Sequence, residues 1–432
     1  MANLTFTIVA SNYLTLAETL GDSIIKYNPD AQFFIVIADD LVSNIQSKYN
    51  LISVYDIGIS QDDILDMAYK YNITEFCTSI KPSSFKYLIK KYNPEKVIYF
   101  DPDVYLYDNV NYVFDEIDTN ELCLVTPHYF TPQVNYSGYT NEEMILFVGI
   151  FNFGFFAVNA RHHNINLLLD WWENRLKDKC YADKIEGLHT DQKWMDFLPA
   201  YFGSDVKIIR HLGWNIALWN LHERLIVNSG NYLVTNRIKN DNKNEKLIFI
   251  HFAGFDVKDT QIIHKYYSYT LVDHPELVQI YKNYRAHLLE NNFLEKIKSP
   301  YKFSVHSNGT KITKFHRRLY KVIAFNKKDW HNPFDAGSEK SFYYQLKKNN
   351  LLSKDNSDDL KQKSLKDFSG KIKTLNLISK TIMKVLGFDK YSLLLRFSAR
   401  YIRPENQTFL IDGHQYEVVN EDIKETIYIN KN

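Results

Sequence analysis

Two carboxylates, Asp101 and Asp103, follow directly on the apolar run Val97-Ile98-Tyr99-Phe100. At the end of a strand, carboxylates spaced i, i+2 can turn toward one point as the chain leaves the sheet. Their hard oxygens suit Mg²⁺ or Mn²⁺, which neutralise a diphosphate. Asp-Pro-Asp is also ordinary turn chemistry, so the pair alone does not decide. The apolar strand before it and Val104-Tyr105-Leu106 after it favour the metal. A further ligand type stands far downstream: His251 ends the run Leu247-Ile248-Phe249-Ile250, and Gly254 follows three residues on. Without a side chain there, the backbone can approach a phosphate closely. Two aspartates and one neutral histidine, Asp101, Asp103 and His251, make an octahedral set that phosphate oxygens would complete.

Two other segments carry polar residues where an apolar element should not. In Phe151-Asn152-Phe153-Gly154-Phe155 the Asn and Gly interrupt a strand. Either they make a bulge, or Asn152 reaches a bound sugar while Gly154 makes room. Thr190-Asp191-Gln192 precedes Lys193-Trp194-Met195-Asp196-Phe197-Leu198. Thr190 or Asp191 can cap a helix there. Equally, Asp191 and Gln192 can hold sugar hydroxyls and face an anomeric carbon.

These residues need a frame, and the first 130 residues supply one by alternating strands with helices. Phe6 to Ala10 reads as a buried strand, and Tyr13 to Tyr27 as a helix with Leu14, Ala17, Leu20, Ile24 and Ile25 on one face. Phe33 to Ala38 is a second strand ending in Asp39-Asp40, Ser83 to Tyr92 a helix, and Val97 to Phe100 a third strand. Unbroken apolar strands separated by helices predict an α/β fold, a mostly parallel sheet flanked by helices. Ligands of such sheets bind beyond the carboxyl ends of the strands, where Asp39, Asp40, Asp101 and Asp103 all fall. Strands are expected at 122–126, 151–158 and 247–251, helices at 164–177, 191–200 and 275–298, and a polar surface loop at 239–246. The character changes near Lys327-Lys328-Asp329, and a polar break runs from Ser353 to Asp359. The expected division is a catalytic domain at 1–265, a helical extension packing on that domain at 266–330 and a Lys-rich, mostly helical region at 331–432. Within 371–403, Ile372, Leu375, Ile378, Ile382, Val385 and Leu386 recur at helical spacing among lysines. Such a basic amphipathic surface either meets anionic lipid or packs on a neighbour with its lysines in water.

The bulk numbers narrow the partners. With 432 residues and a formal net charge of +1, the chain lacks the basic excess that phosphate backbones select, so nucleic acid is not an expected partner. Its 3 cysteines form no metal-ligand pair and no disulfide framework. The N-terminus has no basic region and too short an apolar run for a signal peptide, and no stretch approaches bilayer length. The expected location is the cytoplasm, free or at the inner face of the membrane.

Taken in order, the four motifs resemble glycosyltransferase family 8, the group that includes glycogenin and bacterial lipopolysaccharide galactosyltransferases. They are Asp101/Asp103, Phe151-Asn152-x-Gly154 with Asn159, Asp191-Gln192, and His251-x-x-Gly254. The resemblance implies a GT-A-type (Rossmann-like) fold over about residues 5 to 258. It implies an enzyme that moves a sugar, with retention, from a nucleotide diphosphate sugar, usually of uridine, to a glycan or lipid-linked acceptor. Asp101, Asp103 and His251 would hold Mn²⁺ or Mg²⁺. Asn152, Gly154, Asp191 and Gln192 would surround the donor sugar, with Gly254 near its phosphates. Ala10, Asn12 and Tyr13 look like the family's nucleoside-binding turn, Asp40 lies at the next strand end, and Lys86 sits where the family often has a basic residue touching the donor. Two departures stand out. The family continues H-x-x-G-x-x-K, whereas Val257 occupies that place here and Lys258 comes one residue late. The segment His211 to Arg224, and Asn332-Pro333-Phe334-Asp335, look more like related bacterial surface-polysaccharide glycosyltransferases. If the reaction inverts, Asp191 is the expected general base, with Glu223 behind it. A sugar nucleotidyltransferase would show a glycine-rich basic loop where Ala10-Ser11-Asn12-Tyr13-Leu14 stands. A sugar-nucleotide-binding module without catalysis is the other alternative.

Overall fold

A computed structural model of the chain describes residues 3–39, 43, 45–134, 136, 138, 140–228, 230–238, 244–259, 261–265, 269–324, 332–353 and 369–411. Asp40 lies outside the described residues, as do 239–243 of the polar loop, 327–329, and 354–359 of the polar break. The chain divides into two compact units, Met1–Ile64 with Ile73–Lys302, and Leu65–Asn72 with Phe303–Asn432.

The first unit is built on a seven-stranded sheet. Strands β1 (Leu4–Val9), β2 (Gln32–Ile37), β3 (Asn50–Ser53) and β4 (Lys96–Phe100) come from the first hundred residues. After the short β5 (Val104–Leu106) come β6 (Cys123–Val125) and β7 (Phe155–Asn159). Four short strands follow: β8 (Ala182–Asp183), β9 (Leu188–His189), β10 (Val206–Ile208) and β11 (Arg224–Asn228). The last are β12 (Tyr232–Asn236), β13 (Glu245–Lys246) and β14 (Phe249–His251). The main sheet has the order β10-β6-β7-β4-β1-β2-β3, parallel throughout except for β7, which runs antiparallel to both its neighbours. This is the mostly parallel, helix-flanked α/β sheet expected, with a mainly helical C-terminal region.

Helix Leu14–Tyr27 covers the sheet through Leu14, Ala17, Leu20 and Ile24, all buried. The spacing i, i+3, i+6, i+10 is the apolar stripe that a helix presents to a core. Asn93, at φ 50°, ends helix Lys81–Tyr92 in the left-handed region that asparagine tolerates. The first unit runs to Lys302, and helix Val278–Glu290, within the expected extension, packs into its core. Tyr284 stacks on Phe252 with ring centroids 3.8 Å apart, and Ile280, Tyr281 and Leu288 are buried beside it.

In the second unit, Tyr69 packs against His306, Tyr320, Phe334 and Phe342. Phe334 of the Asn-Pro-Phe-Asp segment is therefore a core residue. Helix Gln61–Lys70 ends in this unit, and the Arg317 guanidinium donates to the carbonyls of Ala68, Tyr69 and Tyr71 at 2.8, 2.9 and 2.6 Å and to that of Phe303 at 2.7 Å. A helix's last carbonyls lack partners within the helix, and a buried cation satisfies them here. Replacing Arg317 with methionine keeps the apolar stem but strips these carbonyls of a charged donor. The variant is expected to unfold several degrees earlier, at a cost of more than ~3 kcal/mol, in a thermal melt followed by circular dichroism.

Candidate functional site

Two strand pairings bring three distant motifs together. Phe100 of β4 lies opposite Phe155 of β7, and the Asp101 amide donates to the Gly154 carbonyl at 2.7 Å. The Asp-Pro-Asp turn thus meets the Phe151–Gly154 segment, which enters β7 as a turn rather than as strand. Val104 of β5 lies opposite His251 of β14, and the Phe252 amide donates to the Asp103 carbonyl at 2.8 Å. Asp101, Asp103 and His251 each present a ligand atom, all within 4.8 Å of one another. His251 Nε2 is 3.1 Å from Asp103 Oδ1 and 3.8 Å from Asp101 Oδ2.

The second ring nitrogen decides whether the histidine can serve as a ligand. His251 Nδ1 lies 3.3 Å from Asn152 Oδ1. That oxygen also accepts from the Gly154 amide at 3.1 Å and from Asn215 Nδ2 at 3.0 Å. An amide oxygen only accepts, so the contact assigns a ring proton to Nδ1 and turns Nε2 toward the aspartates, to which it donates when the imidazole is charged and where the neutral ring has a lone pair for a cation. Asn152, expected at a sugar, also holds the His251 ring through this contact. Gly154 has an equally local reason. A Cβ at this position would lie 2.2 Å from His251 Cε1 and 2.9 Å from Asp101 Oδ2. The donor set, two carboxylates and an imidazole with no thiolate, fits a hard divalent cation.

Electrostatics separates the two aspartates. Burial raises the pKa of Asp101, which also accepts from the Tyr99 hydroxyl at 2.5 Å. Burial acts on Asp103 in the same sense, but the adjacent His251 outweighs it and holds the carboxyl below its usual value. For His251 itself burial lowers the pKa, and the attraction of Asp103 and Asp101 overcomes this to raise it.

The remaining expected residues are placed as follows. Asp191 is buried, with its Oδ2 2.6 Å from Lys81 Nζ. Lys81 also donates to the Phe153 carbonyl at 2.9 Å and sits 4.1 Å from the centre of the Tyr99 ring. The basic residue at the cluster is therefore Lys81, the first residue of its helix. Lys86, five residues on, pairs with Asp170 and Glu173 at 2.8 and 2.7 Å, half exposed and between helices. Gln192 Oε1 accepts from the Phe153 amide at 3.0 Å, and Nε2 donates to the Val148 carbonyl at 2.8 Å. Neither Thr190 nor Asp191 caps a helix by its side chain; Thr190 adopts φ 49°, and the next turns are 3-10. Asn159 lies at the opposite end of β7, bonded to the Asp118 carbonyl at 3.2 Å.

At the end of β1, Ala10 and Asn12 are buried, and Asn12 Oδ1 has no hydrogen-bond partner within the protein. Asp39 shapes this turn by accepting from the Ser11 amide at 2.7 Å. Tyr13 is half-buried and packs edge-on against Phe293. The half-buried Cys77 thiol is raised first by burial, then by the charges of both Asp39 and Asp101, while a hydrogen bond from the Ala10 backbone opposes them.

Gly254 has φ 68°, and a Cβ there would lie 2.2 Å from His264 Nε2. The chain folds back over this turn, where the Lys265 amide donates to the Gly254 carbonyl at 3.0 Å. The exposed Lys265 side chain contributes its charge to the lowering of Asp103. The family's spacing would place a lysine at 257, where Val257 stands; Lys265 is a different position, beyond the return loop. Glu223 is no free base. Its carboxylate accepts from the amides of Phe130 and Thr131 at 3.0 and 2.9 Å and from the Thr131 hydroxyl at 2.7 Å, and it is fully buried beside Arg224. Arg224 bonds the carbonyls of Leu212 and Trp214, and Trp219 stands edge-on to His251 at 5.2 Å. The His211–Arg224 segment thus braces the back of the cluster.

Gly154→Ala is expected to keep the fold's circular dichroism but abolish Mn²⁺ binding measured by calorimetry, because the methyl displaces His251. Asn152→Ala, which frees the imidazole to turn, is expected to weaken Mn²⁺ binding by roughly 10- to 100-fold.

No family model matches the chain. It is similar to YfnF of Bacillus subtilis (strain 168), a protein of uncharacterised function, with 23% identity over 298 residues, 66% of this chain and 92% of YfnF. Among solved structures it is similar to the galactosyltransferase LgtC, in complex with donor and acceptor sugar analogues. There the identity is 18% and the TM-score 0.33, over 50% of this chain and 76% of LgtC. It is also similar to the glycosyltransferase GlyE of Streptococcus pneumoniae TIGR4, at 14% identity and TM-score 0.36 over 71% of this chain and 67% of GlyE.

Proposed function

We propose that the chain is a glycosyltransferase that moves a sugar from a nucleotide diphosphate sugar, of uridine by preference, to a hydroxyl of a glycan or lipid-linked acceptor, with a divalent cation at Asp101, Asp103 and His251. The observation that carries this reading is the pair of contacts made by Asn152 and Gly154. One turns His251 Nε2 toward the aspartates, and the other leaves the space the ring needs. A histidine with only a packing role would require neither.

When bound, Mn²⁺ or Mg²⁺ supplies Lewis-acid stabilisation of the charge that develops on a departing diphosphate. The chain's own residues do the rest. Asp101, Asp103 and His251 hold the cation at the carboxyl end of β4. Gly254 takes the left-handed turn that seats His264 against the end of β14, and Lys265 adds a positive charge beside Asp103. The turn Ala10–Tyr13 lines the nucleoside side of the site, where the unpaired Asn12 oxygen offers an acceptor. Lys81 and Asp191 neutralise each other beneath the donor sugar, and Gln192 fixes the Val148–Phe153 segment that faces it.

The same contacts support retention. Inversion needs a carboxylate free to take the acceptor's proton. Asp191 is engaged by Lys81 and Glu223 by backbone amides. In a retaining transfer the acceptor approaches on the leaving-group face, and a diphosphate oxygen takes the proton.

The test is thermal stabilisation by a panel of nucleotide sugars, with and without Mn²⁺. A ligand at 100 times its Kd stabilises the native state by about 2.7 kcal/mol, a readily measured rise in Tm. The expected result is a Mn²⁺-dependent rise with one UDP-sugar that Asp103→Asn abolishes. No rise with any donor in either metal state would defeat the proposal. Lys265→Gln is expected to weaken donor binding more than about tenfold, the loss of one charge-assisted hydrogen bond, with Tm of the free protein unchanged.

A further inference from the structure

The helices Ser369–Leu386 and Phe388–Tyr401 of the second unit form a hairpin, joined at Gly387 with φ 78°. Among the described side chains from 371 to 399 none is buried. The apolar residues are consequently in the open along both helices, from Leu375 and Leu377 to the tip and beyond it. Val385 is 77% exposed, Leu386 41% and Phe388 72%. Leu393, Leu395 and Phe397 are exposed further along the second helix. A helix normally hides such residues against a core, since helical propensity alone rarely holds a short helix in water. Exposed apolar area on this scale marks a surface made to be covered.

Charge identifies the cover. Lys384 and Lys390 bracket the tip, and Lys371, Lys373, Lys380 and Arg396 lie along the helices, against the single acidic residue Asp389. The whole chain is nearly neutral at +1, so the positive charge is gathered locally at this hairpin. Two such hairpins repel one another, which disfavours a second copy. A neutral protein groove would leave the lysines uncompensated. An anionic bilayer satisfies both features at once: apolar side chains enter the acyl boundary while ammonium groups stay among the lipid phosphates. No described helix is long and apolar enough to cross a membrane, so insertion is confined to the interface.

We propose that residues 369–401 dock this chain on an anionic lipid surface, with the tip Val385-Leu386-Gly387-Phe388 inserted and Lys384 and Lys390 at headgroup level. The proposal stands independently of the sugar-transfer reading and deepens it only by bringing the chain to where lipid-linked acceptors reside.

The experiment is cosedimentation of the full-length chain with vesicles of phosphatidylcholine alone or mixed with phosphatidylglycerol. Binding is expected to the mixed vesicles only, and to fall as salt rises. Neutralising both flanking charges in Lys384→Gln/Lys390→Gln is expected to weaken binding about thirtyfold, at ~1 kcal/mol per charge near an anionic surface. Val385→Ser/Phe388→Ser is expected to abolish it. All four positions are exposed, so Tm should not move, which separates loss of docking from loss of fold. Absence of binding to mixed vesicles at low salt, or equal binding by wild type and both variants, overturns the proposal. A doubled mass by light scattering without lipid that Phe388→Ser returns to the monomer also overturns it, and assigns the face to a second copy.

Discussion

The ring of His251 occupies the space that a side chain at position 154 would fill, and most of the site follows from that exclusion. With no Cβ in the way, β7 can approach β4 closely enough for the Asp101 amide to reach the Gly154 carbonyl. The same approach places Asn152 Oδ1 where it gathers donors from Gly154, Asn215 and His251. A larger residue would push the imidazole off its amide partner and away from both aspartates at once. The cluster is thus set by a steric allowance, and its hydrogen bonds refine an orientation that the packing first permits.

Behind this cluster the protein spends buried charge on support. Glu223 and Arg224 are fully buried and engage backbone groups of the Phe130–Thr131 and Leu212–Trp214 segments. Lys81 and Asp191 form a second pair, almost completely withdrawn from solvent. Removing one partner from such a pair costs far more than the pair contributes, because the other charge is left without water. Loops that carry ligands gain rigidity from this arrangement: each is tied to an element that cannot relax without stranding a charge. Asn215, at φ 54° and fully buried, joins the two regions by donating to both Thr126 and Asn152.

The residues readable in the sequence were those whose surroundings are local. Asp101, Asp103 and His251 each follow an apolar run, and a strand end can be seen in a window of a few residues. Asn152 and Gly154 stood out because they break such a run, although the contact of Asn152 with His251 could not be read from it. What escaped was everything fixed by long-range pairing. Lys81 and Lys86 lie on one short helix, and the ion pair to Asp191, 110 positions away, selects the first of them. Lys265 comes back beside Gly254 through a return loop whose path no spacing rule describes. Glu223 carries a catalytic residue type in a bracing role, which only its backbone partners reveal.

One consequence concerns the order of synthesis. Residues Leu65–Asn72 belong to a unit whose other members begin at Phe303. The Tyr71 carbonyl waits for Arg317, which lies 246 positions later in the chain. At about 5–20 residues per second, the ribosome delivers that guanidinium on the order of ten to fifty seconds after the helix end has emerged. Throughout that interval the sheet around β1 and β2 can assemble while the end of helix Gln61–Lys70 keeps its carbonyls hydrated. The second unit is therefore completed late, by closing on a segment made early, and a nascent chain stopped before residue 303 holds that segment with no partner to receive it.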